Sequence, residues 1–341
     1  MIAATISTGH RWLAWTAFTA LAVPGMGGAD DLNFNFYGSA RVHGESVQPD
    51  DTSALGSYTG VRDAYSRIGF NADYALSDGV ELFGQLELPL DIANKAVQDP
   101  WDQDEDIRIA RIGVRGRFGA FSLGQMWMPY YNAIAYPVDM FSSYYSGFAT
   151  YTAFRLSDTL AYESPEFGGL SFATAWSRRN GAAKASGTAD DRLQITASYR
   201  LNDTVFSFGI DDLGGADDAQ ILGLSLMHTM ADLYIGAKYE VHKSDIRDAY
   251  GADGDTAVNL YAGYTLGKHT FKAMVANVER YGEDVIHLGV DHQFNDRLMF
   301  FAEYYYEEET AAITEKRGGA AETAWDAHGG QVWLAGVRFD F

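Results

Sequence analysis

Cysteine is absent from the 341 residues. That excludes a disulfide framework, a thiolate metal site and a cysteine nucleophile. Proline is scarce at 7 residues, while glycine reaches 36, tyrosine 21 and phenylalanine 20. Such a balance suits many strands better than a helical bundle. Basic residues are in deficit: 25 Lys and Arg stand against 46 Asp and Glu, a formal charge of −21. A phosphate backbone would be repelled, so nucleic acid is not an expected partner. Long hydrophobic runs are missing as well. Although 47% of residues are hydrophobic, no segment after residue 30 reaches the roughly 18 consecutive apolar residues of a spanning helix. A helical membrane protein is excluded, and spans of about ten residues with alternating faces are not. Walker and G-x-S-x-G motifs are also missing, and His43, His228, His242, His269, His287, His292 and His328 show no metal-helix spacing. No cofactor or metal is expected.

What is present begins with an export signal. His10 and Arg11 precede an apolar stretch, Trp12 to Val23, which ends in Pro24 and the small residues Gly25, Gly27, Gly28 and Ala29. Cleavage near Ala29 divides the chain into a signal peptide, 1–29, and one large domain, 30–341. Beyond residue 30 the dominant period is two. In residues 32–42, Phe34, Phe36, Gly38, Ala40 and Val42 alternate with Asn33, Asn35, Tyr37, Ser39 and Arg41. Leu233, Ile235, Ala237, Tyr239 and Val241 alternate with Tyr234, Gly236, Lys238, Glu240 and His242. Segments of ten or more residues favour a transmembrane barrel over the short strands of a soluble sandwich.

The pattern predicts sixteen strands, at 32–46, 63–75, 79–91, 105–116, 119–128, 157–164, 168–178, 190–200, 203–211, 219–229, 231–243, 256–266, 268–279, 283–294, 296–308 and 329–341. Every second connection is tight, as at Leu76-Ser77-Asp78, Arg117-Phe118, Leu201-Asn202 and Phe294-Asn295. Most others are long, polar and acidic, above all 47–62, 92–104, 129–156, 244–255 and 309–328. Sorting short turns to one rim and long loops to the other is the outer-membrane arrangement. The final strand sets Trp333, Ala335, Val337, Phe339 and Phe341 on one face. It is expected to pair with the first, because an open edge cannot sit in lipid. The fold class is therefore all-β: an antiparallel up-and-down transmembrane barrel.

Several segments in order resemble the trimeric general porins of Gram-negative bacteria. They are Phe36-Tyr37-Gly38; Ser66-Arg67-Ile68-Gly69-Phe70; Gly84-Gln85-Leu86-Glu87; Arg108-Ile109-Ala110-Arg111-Ile112-Gly113-Val114; Phe118-Gly119-Ala120-Phe121; and Ser157-Asp158-Thr159-Leu160-Ala161-Tyr162. The resemblance implies a homotrimer in the outer membrane, in contact with lipid and lipopolysaccharide, passing small hydrophilic solutes and ions. It implies that the third long loop, 129–156, folds into the lumen and narrows it. By position, Arg67 and Arg108 match wall arginines of the family and Glu87 a lumen glutamate; Arg41 and Arg155 join them as candidates. Asp139 is the loop's only acid, a departure from the more acidic family loop.

On strand parity, Arg108 and Arg111 oppose each other, so one is expected to point outward. An arginine facing lipid at mid-bilayer costs about 2–4 kcal/mol. The loop is rich in rings, with Tyr144 and Tyr145 at its centre. They either form a stacking track for sugars or aromatic solutes, or pack the loop against the wall; packing is the simpler reading. Asp99, Asp102, Asp104, Glu105 and Asp106, and Asp248, Asp253 and Asp255, read as solvated acidic faces or as sites for Ca²⁺ shared with lipopolysaccharide. The alternatives to a passive channel are a solute-selective pore, a barrel hydrolase with a Ser/His or Asp/His pair at its rim, and a closed adhesin-like barrel. The sequence points away from an enzyme and leaves the solute and the ion preference open.

Overall fold

A computed structural model describes residues 32–102, 104–178, 191–214, 219–244, 252–313 and 329–341. The expected signal peptide, Asp248 and most of 309–328 lie outside the described residues. The strands are β1 (Leu32–Pro49), β2 (Tyr58–Asp63), β3 (Ser66–Ser77), β4 (Val80–Leu90), β5 (Ile109–Gly116), β6 (Gly119–Trp127), β7 (Arg155–Glu163), β8 (Leu170–Ser177) and β9 (Arg192–Leu201). They continue as β10 (Thr204–Gly214), β11 (Ala219–Met230), β12 (Leu233–Lys243), β13 (Thr256–Leu266), β14 (His269–Val278), β15 (Glu283–Gln293), β16 (Leu298–Glu307) and β17 (Gly330–Asp340).

From β3 onward each strand pairs antiparallel with the next. β17 closes on β1, from Ser39↔Asp340 to Pro49↔Gly330. The ring leaves no open edge, as lipid requires. β1 pairs with β3 along its first half and with β2 along its second. β2 and β3 are thus two halves of one stave, and the barrel has sixteen. The break falls at Ala64-Tyr65, where Tyr65 has φ 64. A left-handed aromatic residue costs about 1–3 kcal/mol. Asp63 holds the break, accepting the Ser66 N–H at 2.7 Å and the Ile92 N–H at 3.1 Å. The inward parity changes across it, from even positions on β2, such as Arg62, to odd positions on β3, such as Arg67.

Period two becomes two chemically distinct faces. On β13, Val258, Leu260 and Tyr264 are exposed, while Ala257, Asn259 and Tyr261 are buried. The exposed set continues around the ring as Phe70's neighbours Phe34 and Phe36, then Ile112, Leu123, Ile195, Phe208, Leu224, Val275, Leu288, Phe300 and Trp333. Only lipid makes so much exposed apolar surface tolerable, since each such side chain left in water forfeits about 1.5–3 kcal/mol. Near the tight-turn end, Phe118, Phe121 and Tyr162 lie ring to ring, as in the aromatic bands that mark a membrane interface. The opposite face carries the charge: Glu45, Arg62, Arg192, Asp211, Lys238, Glu240, Lys272 and Glu303 are all buried.

The expected loop 47–62 shrinks to 50–57, because β1 runs on to Pro49 and β2 begins at Tyr58. The connection 91–108 is longer than the expected 92–104, because β5 starts at Ile109 rather than at 105. Residues 128–154 contain two short helical turns, Tyr131–Ala135 and Tyr136–Val138.

Candidate functional site

The polar face of β1, β3, β4 and the start of β5 collects the wall arginines. Arg67 approaches Glu87 at 3.5 Å, and Arg108 Nε donates to Glu87 Oε1 at 2.9 Å. The Tyr37 hydroxyl donates to the other Glu87 oxygen at 3.0 Å. Arg108 also reaches Asp99 at 2.7 Å. Arg155, at the start of β7, donates to Asp99 at 3.2 Å and engages Glu105. The structure therefore brings Arg67, Arg108, Arg155 and Glu87 into one ion network, with Arg41 alongside on β1. The acids that complete it come from 91–108. Asp99 and Glu105, read from sequence as a solvated or Ca²⁺-binding face, are spent on arginines instead. No metal-binding group of acids and histidines occurs among the described residues.

The expectation that Arg108 or Arg111 points outward is corrected. Arg111 Nε donates to Gln85 Oε1 at 3.0 Å, on the polar side of β4. Arg108 precedes the first residue of β5. It lies outside the ladder, escapes its parity and turns to the same side. Ile112 occupies the lipid face instead, 52% exposed.

Residues 129–156 lie against the polar face of β9, β10, β12, β16 and the end of β1, and are tied to it chiefly by carboxylates. Glu303 accepts the Ser142 N–H at 2.8 Å. Glu45 accepts the Tyr145 hydroxyl at 2.9 Å, Glu240 the Thr150 hydroxyl at 2.8 Å and Asp211 the Thr152 hydroxyl at 2.7 Å. Gln194 accepts the Tyr130 N–H at 3.0 Å. Lys238 pairs with Glu240, Lys272 with Glu303 and Asp291, and Arg192 with Asp211. Sequence reasoning missed this set. Its signal was available in the parity of β9 to β16, where the buried charges occur at the inward register, but nothing in the chain's order pairs them with the loop.

Tyr144 and Tyr145, candidates for a stacking track in the lumen, are placed elsewhere. They are 0% and 1% exposed. Arg62 sits 4.0 Å from the Tyr144 ring centroid, Tyr65 stacks on Tyr144 at 5.9 Å, and Tyr145 packs 5.0 Å from Tyr305. Both rings fasten the loop to the wall, so neither offers a face to solute, and packing is the outcome. Asp139 turns its oxygens into the loop, toward the hydroxyls of Tyr131 at 2.6 Å and of Ser146. Burial pushes its carboxyl above the usual aspartate range, with those hydroxyls opposing the shift.

Between the arginine wall and the loop lies a cavity of about 790 Å³ whose lining includes Arg41, Arg67, Arg108, Arg155, Tyr136 and Asp139. A separate pocket of about 20 Å³ lies between the loop and Asn259, Met274 and His287, room for one water.

A family profile described as Gram-negative porin matches residues 14–312. No curated protein matches by sequence. Among solved structures, the anion-selective porin from Comamonas acidovorans is similar at 17% identity and a TM-score of 0.69, covering 91% of this chain and 100% of its own. OmpF of Salmonella typhi, in complex with daunomycin, has 17% identity and a TM-score of 0.67, with 90% and 97% covered. The trimer form of OmpT, an outer membrane protein of Vibrio cholerae, has 15% identity and a TM-score of 0.59, with 92% and 100% covered.

Proposed function

The chain belongs to the Gram-negative porin family and forms an outer-membrane β-barrel channel, and we propose that it passes small hydrophilic solutes and ions by passive diffusion, without catalysis. In this reading 129–156 folds inward and narrows the lumen. The observation that carries it is that the segment hydrogen-bonds to buried carboxylates of the wall, Glu45, Asp211, Glu240 and Glu303, beside a cavity of about 790 Å³ lined by Arg41, Arg67, Arg108 and Arg155. Traffic is thereby confined to one charged passage. Arginine keeps its charge at every relevant pH. A narrow passage between fixed charges orders water and disfavours apolar solutes. Against catalysis, two of the buried histidines, His43 and His287, are each engaged by a glutamate, at 3.3 and 2.9 Å, rather than by a hydroxyl nucleophile.

We also propose a homotrimer. The small outward residues Ala40, Gly44, Ala72 and Gly84 on β1, β3 and β4 leave a flat face that a second copy can cover. The test is single-channel recording of the purified protein in planar bilayers, beside its mass in detergent before and after heating. Stepwise conductance from heat-labile trimers is expected. A protein that hydrolyses lipid or peptide and conducts nothing would be a barrel hydrolase; one that does neither would be a closed barrel.

A further inference from the structure

One guanidinium in the passage has no acid of its own. Arg41 lies directly opposite Arg338 of β17 in the ladder, and Arg67 is paired with Ser39, two residues away. Arg67 faces Glu87 at 3.5 Å and Arg338 holds Asp340 at 2.7 Å. Arg41 forms no ion pair among the described residues; its Nε donates to Ser39 Oγ at 2.6 Å. Of the charges that act on it, Arg67, Arg338 and Arg108 share its sign and Asp340 opposes it.

One ring of the loop is equally unspent. Tyr136 is 48% exposed, whereas Tyr130, Tyr144 and Tyr145 are at 0–1%. Its ring meets Tyr131 edge-on at 6.3 Å, which leaves a face open. Arg41 and Tyr136 line the same cavity. Asp139 lines it too, but its oxygens are occupied by Tyr131 and Ser146.

Resting on the channel reading above, we propose that this aperture is a binding site for planar aromatic carboxylates, with Arg41 holding the carboxylate and Tyr136 stacking on the ring. The flat guanidinium fork matches a carboxylate in two parallel hydrogen bonds. The open tyrosine face suits an offset-stacked aromatic ring. Aliphatic anions gain the first contact alone, and neutral aromatics the second alone. Because the site opens to solvent, residence is brief, as conduction requires.

The experiment compares benzoate, cyclohexanecarboxylate and inorganic phosphate as blockers of KCl current through the full-length protein in planar bilayers. Isothermal titration of the detergent-solubilised protein with benzoate reads the same contacts without current. Benzoate is expected to half-block at about one-fifth the concentration of cyclohexanecarboxylate, the ratio a single aromatic stack supplies. Tyr136→Leu, at an exposed position, should bring the two acids together. Arg41→Gln should abolish block by both. Equal half-block concentrations in the unaltered protein, phosphate blocking as well as benzoate, or an undiminished benzoate block in Arg41→Gln would each overturn the aperture. A protein that failed to conduct KCl would overturn the channel reading, and the titration would still decide the aperture.

Discussion

Tyr145 shows how a side chain's role is set by what meets its polar end. Its ring is in the wall and its hydroxyl donates to Glu45, a carboxylate that also receives Arg62 at 3.0 Å. Tyr145→Phe removes one hydrogen bond to a buried charge, worth about 1.5–3 kcal/mol. A lower urea midpoint with unchanged conductance is expected. Tyr144→Ala with Tyr145→Ala should instead raise generic conductance by loosening the loop, without loss of any solute-specific uptake. Asp139 gives a pH dependence. Its carboxyl is held above the ordinary value of 3.8 by burial, so the folded loop binds a proton that the unfolded chain releases. Loop stability should therefore fall as pH rises from the ordinary value through the raised one, then level off. Limited proteolysis across that range measures it, and Asp139→Asn should flatten the profile.

At the scale of elements, the loop fits because specific strand positions lack a side chain. Gly223 of β11 faces the Tyr130 hydroxyl, and Gly236 of β12 faces the Pro137 carbonyl; a Cβ at either would overlap its partner. Gly236→Ala is expected to lift the Tyr136–Val138 turn off the wall, because the obstacle is backbone and cannot rotate away. Changed single-channel conductance with an intact, heat-resistant barrel is the signature to look for. A second latch lies at the end of β16. Glu307 accepts the N–H groups of Ala311 and Ala312, each at 3.1 Å, and of Ile313 at 2.7 Å, and the Tyr305 hydroxyl at 2.7 Å. Glu307→Gln weakens these charge-assisted bonds and should make the chain after residue 309 cleavable by protease at lower enzyme concentration. Strand positions were legible from period two to within a few residues. The expected strand 63–75 omits the Ala64-Tyr65 break, because 58–62 reads as loop and it is the grip of Asp63 on Ser66 and Ile92 that joins β2 to β3.

For the whole molecule, the decisive quantity is the field across the passage. The formal charge of −21 argues for cations, yet charges beyond a Debye length of about 8 Å are screened at physiological salt. The groups that line the passage should dominate. Arg67→Gln is expected to shift the reversal potential in a KCl gradient toward cation preference, because it leaves Glu87 with Arg108 alone. Arg108→Gln should do the same and also destabilise the barrel by about 3–5 kcal/mol, since it strips a partner from two buried acids. No shift in either variant would place the selectivity elsewhere.

The sequence by itself determined the barrel: its alternation, its sorted connections and a closing strand that pairs with the first, all consequences of lipid outside and water inside acting on single residues. The resemblance of its segments to a porin named Arg67, Glu87 and Arg108 for the wall, with Arg41 and Arg155 as further candidates; strand parity alone did not, since Arg108 lies outside the ladder. Only the tertiary structure decided what those charges face. Asp99 and Glu105 come to them from a neighbouring loop, Tyr144 and Tyr145 are consumed by packing, and Tyr136 keeps an exposed ring in the cavity that Arg41 lines. Such pairings join residues far apart in the chain, and no local pattern records them.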